Sequence, residues 1–142
     1  MLLNRLPILI LLLLSGSSLA QTTPCTILGQ NPETAFPVCG TSVFHMDTVP
    51  ICGQRRVASL CVDDTMYTDK NPFWYKFTCF QSGKLAFFIT PDVLSEDYDW
   101  QIFDVTGKNP QDIYTDTTMF VVCSWSGVGG VTGACEDSGG VS

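Results

Sequence analysis

The run from Glu96 to Val105 (Glu-Asp-Tyr-Asp-Trp-Gln-Ile-Phe-Asp-Val) constrains the fold of this chain more than any other segment. Asp97, Asp99 and Gln101 alternate with Tyr98, Trp100 and Ile102. A period of two belongs to a strand, whose successive side chains leave opposite faces. The run is therefore read as a strand. Its Tyr98, Trp100 and Ile102 row faces a core, its carboxylate row faces solvent, and it ends at Thr106-Gly107.

The rest of the chain agrees with this period. Three Asn-Pro pairs, Asn31-Pro32, Asn71-Pro72 and Asn109-Pro110, start turns, because proline fixes φ and steers the preceding residue away from helix. Between the breaks, Phe73 to Phe80 and Leu85 to Thr90 read as two strands of a hairpin joined by Gln81-Ser82-Gly83-Lys84. Thr118 to Trp125 reads as a further strand, and Gln54 to Cys61 is ambiguous. Asp92 to Glu96 is one helical turn at most. Short strands at regular spacing predict an all-β, disulfide-stapled antiparallel β-sandwich, jelly-roll-like and truncated at its C-terminus. Its parts are a signal peptide at 1–20, a cysteine-rich β region at 21–70, the sandwich strands at 71–125, and a glycine-rich loop or linker at 126–142.

The signal reading rests on a basic start, Met1 to Arg5, an apolar run, Leu6 to Leu14, and a small-residue exit ending at Ala20. The apolar run is too short for roughly 30 Å of hydrocarbon, so no membrane insertion is expected once the signal is removed. Removal of Arg5 leaves six basic residues against fourteen acidic ones and a net charge of −8. Nucleic acid is excluded as a partner, since its affinity rests on Lys and Arg against phosphate. Seven cysteines, Cys25, Cys39, Cys52, Cys61, Cys79, Cys123 and Cys135, stand beside one histidine and form no C-x-x-C pair. Zinc is therefore not expected, and export makes disulfides the reading. Cys25, Cys39, Cys52, Cys61, Cys123 and Cys135 are the candidates for bridges, with connectivity open. The odd count leaves one over, either a buried thiol such as Cys79 or a cysteine bonded beyond Ser142.

The residues offer little chemistry. His45, the sole imidazole, sits in Val43-Phe44-His45-Met46-Asp47 without a nucleophile motif and reads as an ordinary surface histidine. The chain is read as non-catalytic and free of cofactors. The densest oxygen cluster gives Asp97, Asp99 and Asp104 as calcium candidates, although their spacing does not match an EF-hand loop. The competing reading is a solvated acidic row that discourages edge-to-edge strand pairing. Tyr114 and Trp125, surrounded by polar and glycine-rich sequence, are candidates for a sugar-stacking platform. Trp74 is read as core.

Several segments together resemble a known type of module. They are Cys25-Thr26-Ile27-Leu28-Gly29-Gln30-Asn31-Pro32, Ala35 to Gly40, Asn71 to Phe80, Asp97 to Gly107 and Trp125-Ser126-Gly127. This set is similar to the N-terminal module of large surface proteins of gliding bacteria. The resemblance implies export by the type IX route, display on the cell surface, and further domains in the same longer chain, namely PKD repeats and a gliding-motility-associated sorting domain. It implies contact with extracellular matrix or a glycan surface and carries no catalytic residues. The Asp-x-Asp-Trp-x-Ile-Phe-Asp pattern also resembles, more loosely, bacterial pre-peptidase C-terminal domains. A carbohydrate-binding module, with or without calcium, and an accessory domain of a secreted hydrolase are the alternatives to an adhesin-like module.

Overall fold

The computed structural model describes residues 24–40, 43–58, 60–61 and 68–134. The signal segment, Asp63-Asp64 and Cys135 lie outside the described residues. Eight short strands appear among the described residues: β1 (Phe36–Pro37), β2 (Gly53–Arg56), β3 (Thr68–Lys70), β4 (Tyr75–Lys76), β5 (Phe87–Ile89), β6 (Trp100–Phe103), β7 (Phe120–Ser124) and β8 (Thr132–Ala134). Two 3-10 helices, Pro110–Tyr114 and Thr117–Met119, join β6 to β7. No α-helix occurs among the described residues, so the domain is all-β, and two disulfides join its distant segments.

The strands pair two by two. β2–β3, β5–β8 and β6–β7 are antiparallel, whereas β1–β4 is parallel. The expectation of a wholly antiparallel sheet is thus corrected at β1–β4. Among the described residues no sheet exceeds two strands or closes on itself.

The expected hairpin between Phe73–Phe80 and Leu85–Thr90 does not form. The backbone around β4 is already engaged: Trp74 N–H donates to Gly29 O at 2.5 Å, and Trp74 and Lys76 carbonyls accept from Phe36 and Val38 at 2.7 and 2.8 Å. β5 pairs instead with β8, from the glycine-rich segment expected to be a loop or linker. Gly133 permits this. Its φ of 150° is one that L side chains rarely adopt, and a Cβ there would strike the Phe87 carbonyl oxygen.

The alternating segment does form a strand. In β6, Trp100 stands opposite Ser124, Gln101 opposite Cys123 and Ile102 opposite Val122, with a bulge before Phe103–Phe120. Its two faces are not core and solvent, however, because all four residues are half-buried. Trp100 meets Phe87 edge to face at 5.0 Å and donates its Nε1–H to Thr132 Oγ1 at 3.0 Å. On the other face Gln101 donates Nε2–H to Ala58 O at 3.2 Å, and Phe103 packs against Trp74 at 6.1 Å. Neighbours therefore cover both faces, and Gln101 leaves the solvent row in which the alternation placed it.

Among the described residues the core is small and takes one side chain from each 3-10 helix. Ile113 and Met119 are its fully buried side chains, joined by Ala35, Cys52 and Val57. The Asn-Pro turns build its frame. Asn109 accepts from Gln111 N–H through its side chain and caps the first 3-10 helix, with proline in the first turn. The Asn31 carbonyl accepts from Thr34 N–H at 3.1 Å. Asn71 takes a left-handed φ of 54° directly after β3.

Candidate functional site

The best-defined polar constellation is organised by Asp69, whose side chain is 2% exposed. A buried carboxylate needs donors on both oxygens, and the fold supplies them from two other segments. Gly53 and Gln54 both have positive φ, 91° and 86°, at an irregularity in the β2–β3 ladder. This turns the Arg55 amide onto Asp69 Oδ1 at 2.5 Å. A Cβ on Gly53 would collide with the Asp69 carbonyl, so the turn depends on glycine.

The first 3-10 helix delivers the second set of contacts. Tyr114 donates its hydroxyl to Asp69 Oδ2 at 2.7 Å and accepts from Arg55 Nη2 at 2.6 Å. Arg55 Nε lies 3.6 Å from Asp69 Oδ2, and its Cζ lies 3.8 Å from the Tyr114 ring centroid. The guanidinium also donates through Nη1 to Gln111 Oε1 at 2.8 Å and through Nη2 to Asn31 Oδ1 at 3.2 Å. Asn31 Nδ2 in turn donates to the Cys25 carbonyl. Trp74 closes the cluster with its ring edge on Tyr114 at 6.3 Å.

Its electrostatics are those of a clamp. Burial, the hydrogen bond to Asp69 and the charge of Asp69 push the Tyr114 hydroxyl far above its ordinary range, against the opposing pull of Arg55. Tyr114 therefore keeps its proton at any physiological pH, and the carboxylate is bound on both oxygens. The arrangement joins β2, β3, the Asn31 turn and the first 3-10 helix. It holds no activated nucleophile and no base with a free oxygen.

The calcium candidates are not assembled. Asp97, Asp99 and Asp104 are all exposed, and among the described residues no group of three or more His, Cys, Asp or Glu could hold a metal ion. Desolvation, then the charge of Asp97, raises the Asp99 carboxyl. Asp104 stands past the end of β6, where hydrogen bonds from Thr106 lower its carboxyl, including the Thr106 N–H at 2.9 Å. Another carboxylate, Asp116, is held down to about 2 by Thr118 and Lys108 and caps the second 3-10 helix.

The aromatic platform is not formed either. Tyr114 is drawn into the clamp by Arg55 and Trp74, and Trp125 is half-buried rather than exposed. Trp74, expected in the core, is half-buried against Phe103 and Tyr114, and among the described residues its Nε1–H has no partner. His45 lies on the surface, with Nε2 3.0 Å from Asp47 Oδ1.

Of the bridge candidates, Cys25 pairs with Cys52 and Cys61 with Cys123. Cys39 lies on the surface, and Cys79 is a free thiol. The expectation that a leftover Cys79 would be buried is corrected: it is exposed, on the stretch that follows β4. The clamp itself was not anticipated, because residues 31, 55, 69, 111 and 114 share no local pattern. The signals available were the Asn31-Pro32 and Asn109-Pro110 turns, which bring two of its segments into place. No protein-family model, curated protein or solved structure matches the chain.

Proposed function

We propose that this chain is a non-catalytic extracellular or cell-surface module of a bacterial adhesin-like or gliding-motility-associated protein, built as a jelly-roll-like sandwich. The observation that carries the reading is the pair of disulfides, Cys25–Cys52 and Cys61–Cys123, which close intervals of 27 and 62 residues. Such bridges form and persist in oxidising compartments. The leader pattern at 1–20 and the resemblance to surface modules of gliding bacteria point the same way. The closed hydrogen bonding of the Asp69 clamp supports a structural role over a catalytic one. Within this reading the module acts as a durable unit next to further domains, in contact with matrix or glycan surfaces.

The test is to express the chain with its own leader in a gliding bacterium and examine intact cells. The expected result is a mature N-terminus at Gln21, labelling by impermeant antibody, and Cys25–Cys52 and Cys61–Cys123 recovered as bridged peptides. A chain retained inside the cell with its leader uncleaved and its thiols reduced would overturn the reading.

A further inference from the structure

The four strand pairs divide at one place in the sequence. β1–β4 and β2–β3 lie wholly before residue 77, whereas β5–β8 and β6–β7 lie wholly after residue 86. Both 3-10 helices belong to the second half. Residues 77–86 form a strap between the halves and belong to no strand or helix. The halves are also joined by the Cys61–Cys123 bridge, by the Asp69 clamp, and by the Gln101 bond to Ala58.

The strap is unusually open. Residues 75–86 are twelve consecutive exposed residues, the longest such run among the described residues. Among the described residues no backbone–backbone hydrogen bond involves residues 78–85. Other open stretches are closed by their own turns: Glu96 N–H donates to Val93 O at 2.9 Å, and Lys108 N–H to Val105 O at 3.1 Å. An endoprotease holds its substrate chain by main-chain hydrogen bonds and side-chain pockets. It therefore needs several successive residues whose backbone is unpaired and whose side chains stand clear.

One residue of the strap fits such a pocket best. Phe80 is 95% exposed, against 44% for Phe77 and Phe44. Phe44 also packs edge to face on Phe36 at 5.5 Å, and Phe88 is held in β5 opposite Gly133. Gln81-Ser82-Gly83, which follow Phe80, are small or polar and exposed.

We propose that the Phe80–Gln81 bond is an endoproteolytic processing site for a protease selective for a large aromatic side chain, and that the product is a two-chain molecule that keeps its fold. One water adds at the Phe80 carbonyl carbon and the C–N bond breaks, leaving Phe80 as a carboxylate and Gln81 as an ammonium. The cut divides no strand pair, and Cys61–Cys123 ties the two fragments together across it. The proposal goes beyond the adhesin-like reading and does not depend on it, since it rests on accessibility and topology alone.

The experiment is brief digestion of the disulfide-formed chain with chymotrypsin, with the Cys79 thiol capped to prevent exchange. The expected first cut is at Phe80–Gln81. Without reductant the product should be one species, heavier than the parent by one water. Reduction should release two fragments, the second beginning at Gln81. The nicked molecule should keep its near-ultraviolet circular dichroism. Phe80→Asp, at an exposed position, should lose this cut while keeping the same spectrum. Tyr114→Phe, which weakens the clamp, should be cut at the unmodified rate, because cleavage of the folded form does not track stability. A first cut at any other bond overturns the proposal. So does a cut that accelerates in Tyr114→Phe, which would place it in an opened form, or a nicked chain that loses its near-ultraviolet signal.

Discussion

Asp69 shows how a single side chain can hold several segments of this molecule in place. It is almost wholly buried and accepts from the Arg55 amide and the Tyr114 hydroxyl, with Arg55 Nε at 3.6 Å. Asp69→Ala leaves the Arg55 amide and the Tyr114 hydroxyl without their acceptor at once. The expected loss is about 2–6 kcal/mol, at about 1–3 kcal/mol for each buried donor left unsatisfied. Tyr114→Phe removes only the hydroxyl and should cost less, about 1–3 kcal/mol. Urea titration of both variants checks the order, and equal losses would contradict it.

The same contact sets an alkaline limit. The Tyr114 pKa is raised above the ordinary tyrosine value of 10.0, so the folded protein binds this proton more tightly than the unfolded chain does. Its contribution is complete below pH 10 and is lost as pH rises further. Tyr75 and Tyr98 are raised as well and add to the slope, Tyr75 by burial and Tyr98 by burial and Glu96. Melting temperature should therefore fall above pH 10. In Tyr114→Phe the decline should be shallower, and an unaltered slope would show that the clamp does not govern it.

At the scale of elements, legibility followed the range of the interactions. The β6 strand was legible because alternation is local, and the Asn-Pro turns were legible because proline acts on its own neighbours. The hairpin failed because the backbone groups of Trp74 and Lys76 are engaged by residues 29–38, which no local pattern reveals. The β8 strand was missed for the opposite reason. Thr132-Gly133-Ala134 has little strand propensity, and its glycine, which suggests a loop, is what permits the close approach to Phe87. The clamp was the least legible of all, since Arg55 and Tyr114 are 59 positions apart.

Gly133→Ala tests the β8 assignment. The substitution puts a Cβ against the Phe87 carbonyl and within 2.9 Å of Phe88 Cα, at a φ that alanine rarely adopts. A destabilisation of about 1–3 kcal/mol is expected, together with faster amide exchange at β5. The β6–β7 amides should keep their protection, because those strands pair with each other and not with β8. Equal acceleration in both pairs would mean that they open as one unit.

The whole molecule combines a small core with long-range covalent closure. Prolines apart, only five apolar side chains are buried among the described residues, too few to carry a domain of this size by burial alone. The chain-entropy estimate for a bridge closing 62 residues is roughly 4 kcal/mol, and for one closing 27 residues roughly 3.5 kcal/mol. Paired Cys→Ser replacement at Cys61 and Cys123 should therefore cost slightly more than at Cys25 and Cys52. Full reduction should unfold the domain at ambient temperature. A cooperative melt that survives full reduction would show that the noncovalent contacts suffice.

The Cys61–Cys123 bridge has a mechanical consequence. When the two ends of the molecule are pulled apart, tension passes through the sulfur atoms and bypasses everything from β3 to most of β7. At about 3.4 Å per extended residue, the 62-residue interval holds back roughly 200 Å of contour length. Single-molecule stretching should give a short extension in the oxidised protein and one longer by that amount after the bridge is reduced. A module so wired would keep the covalent chain from β3 to most of β7 untensioned while its flanks are stretched, so that β6 stays tethered after the contacts to those flanks have parted.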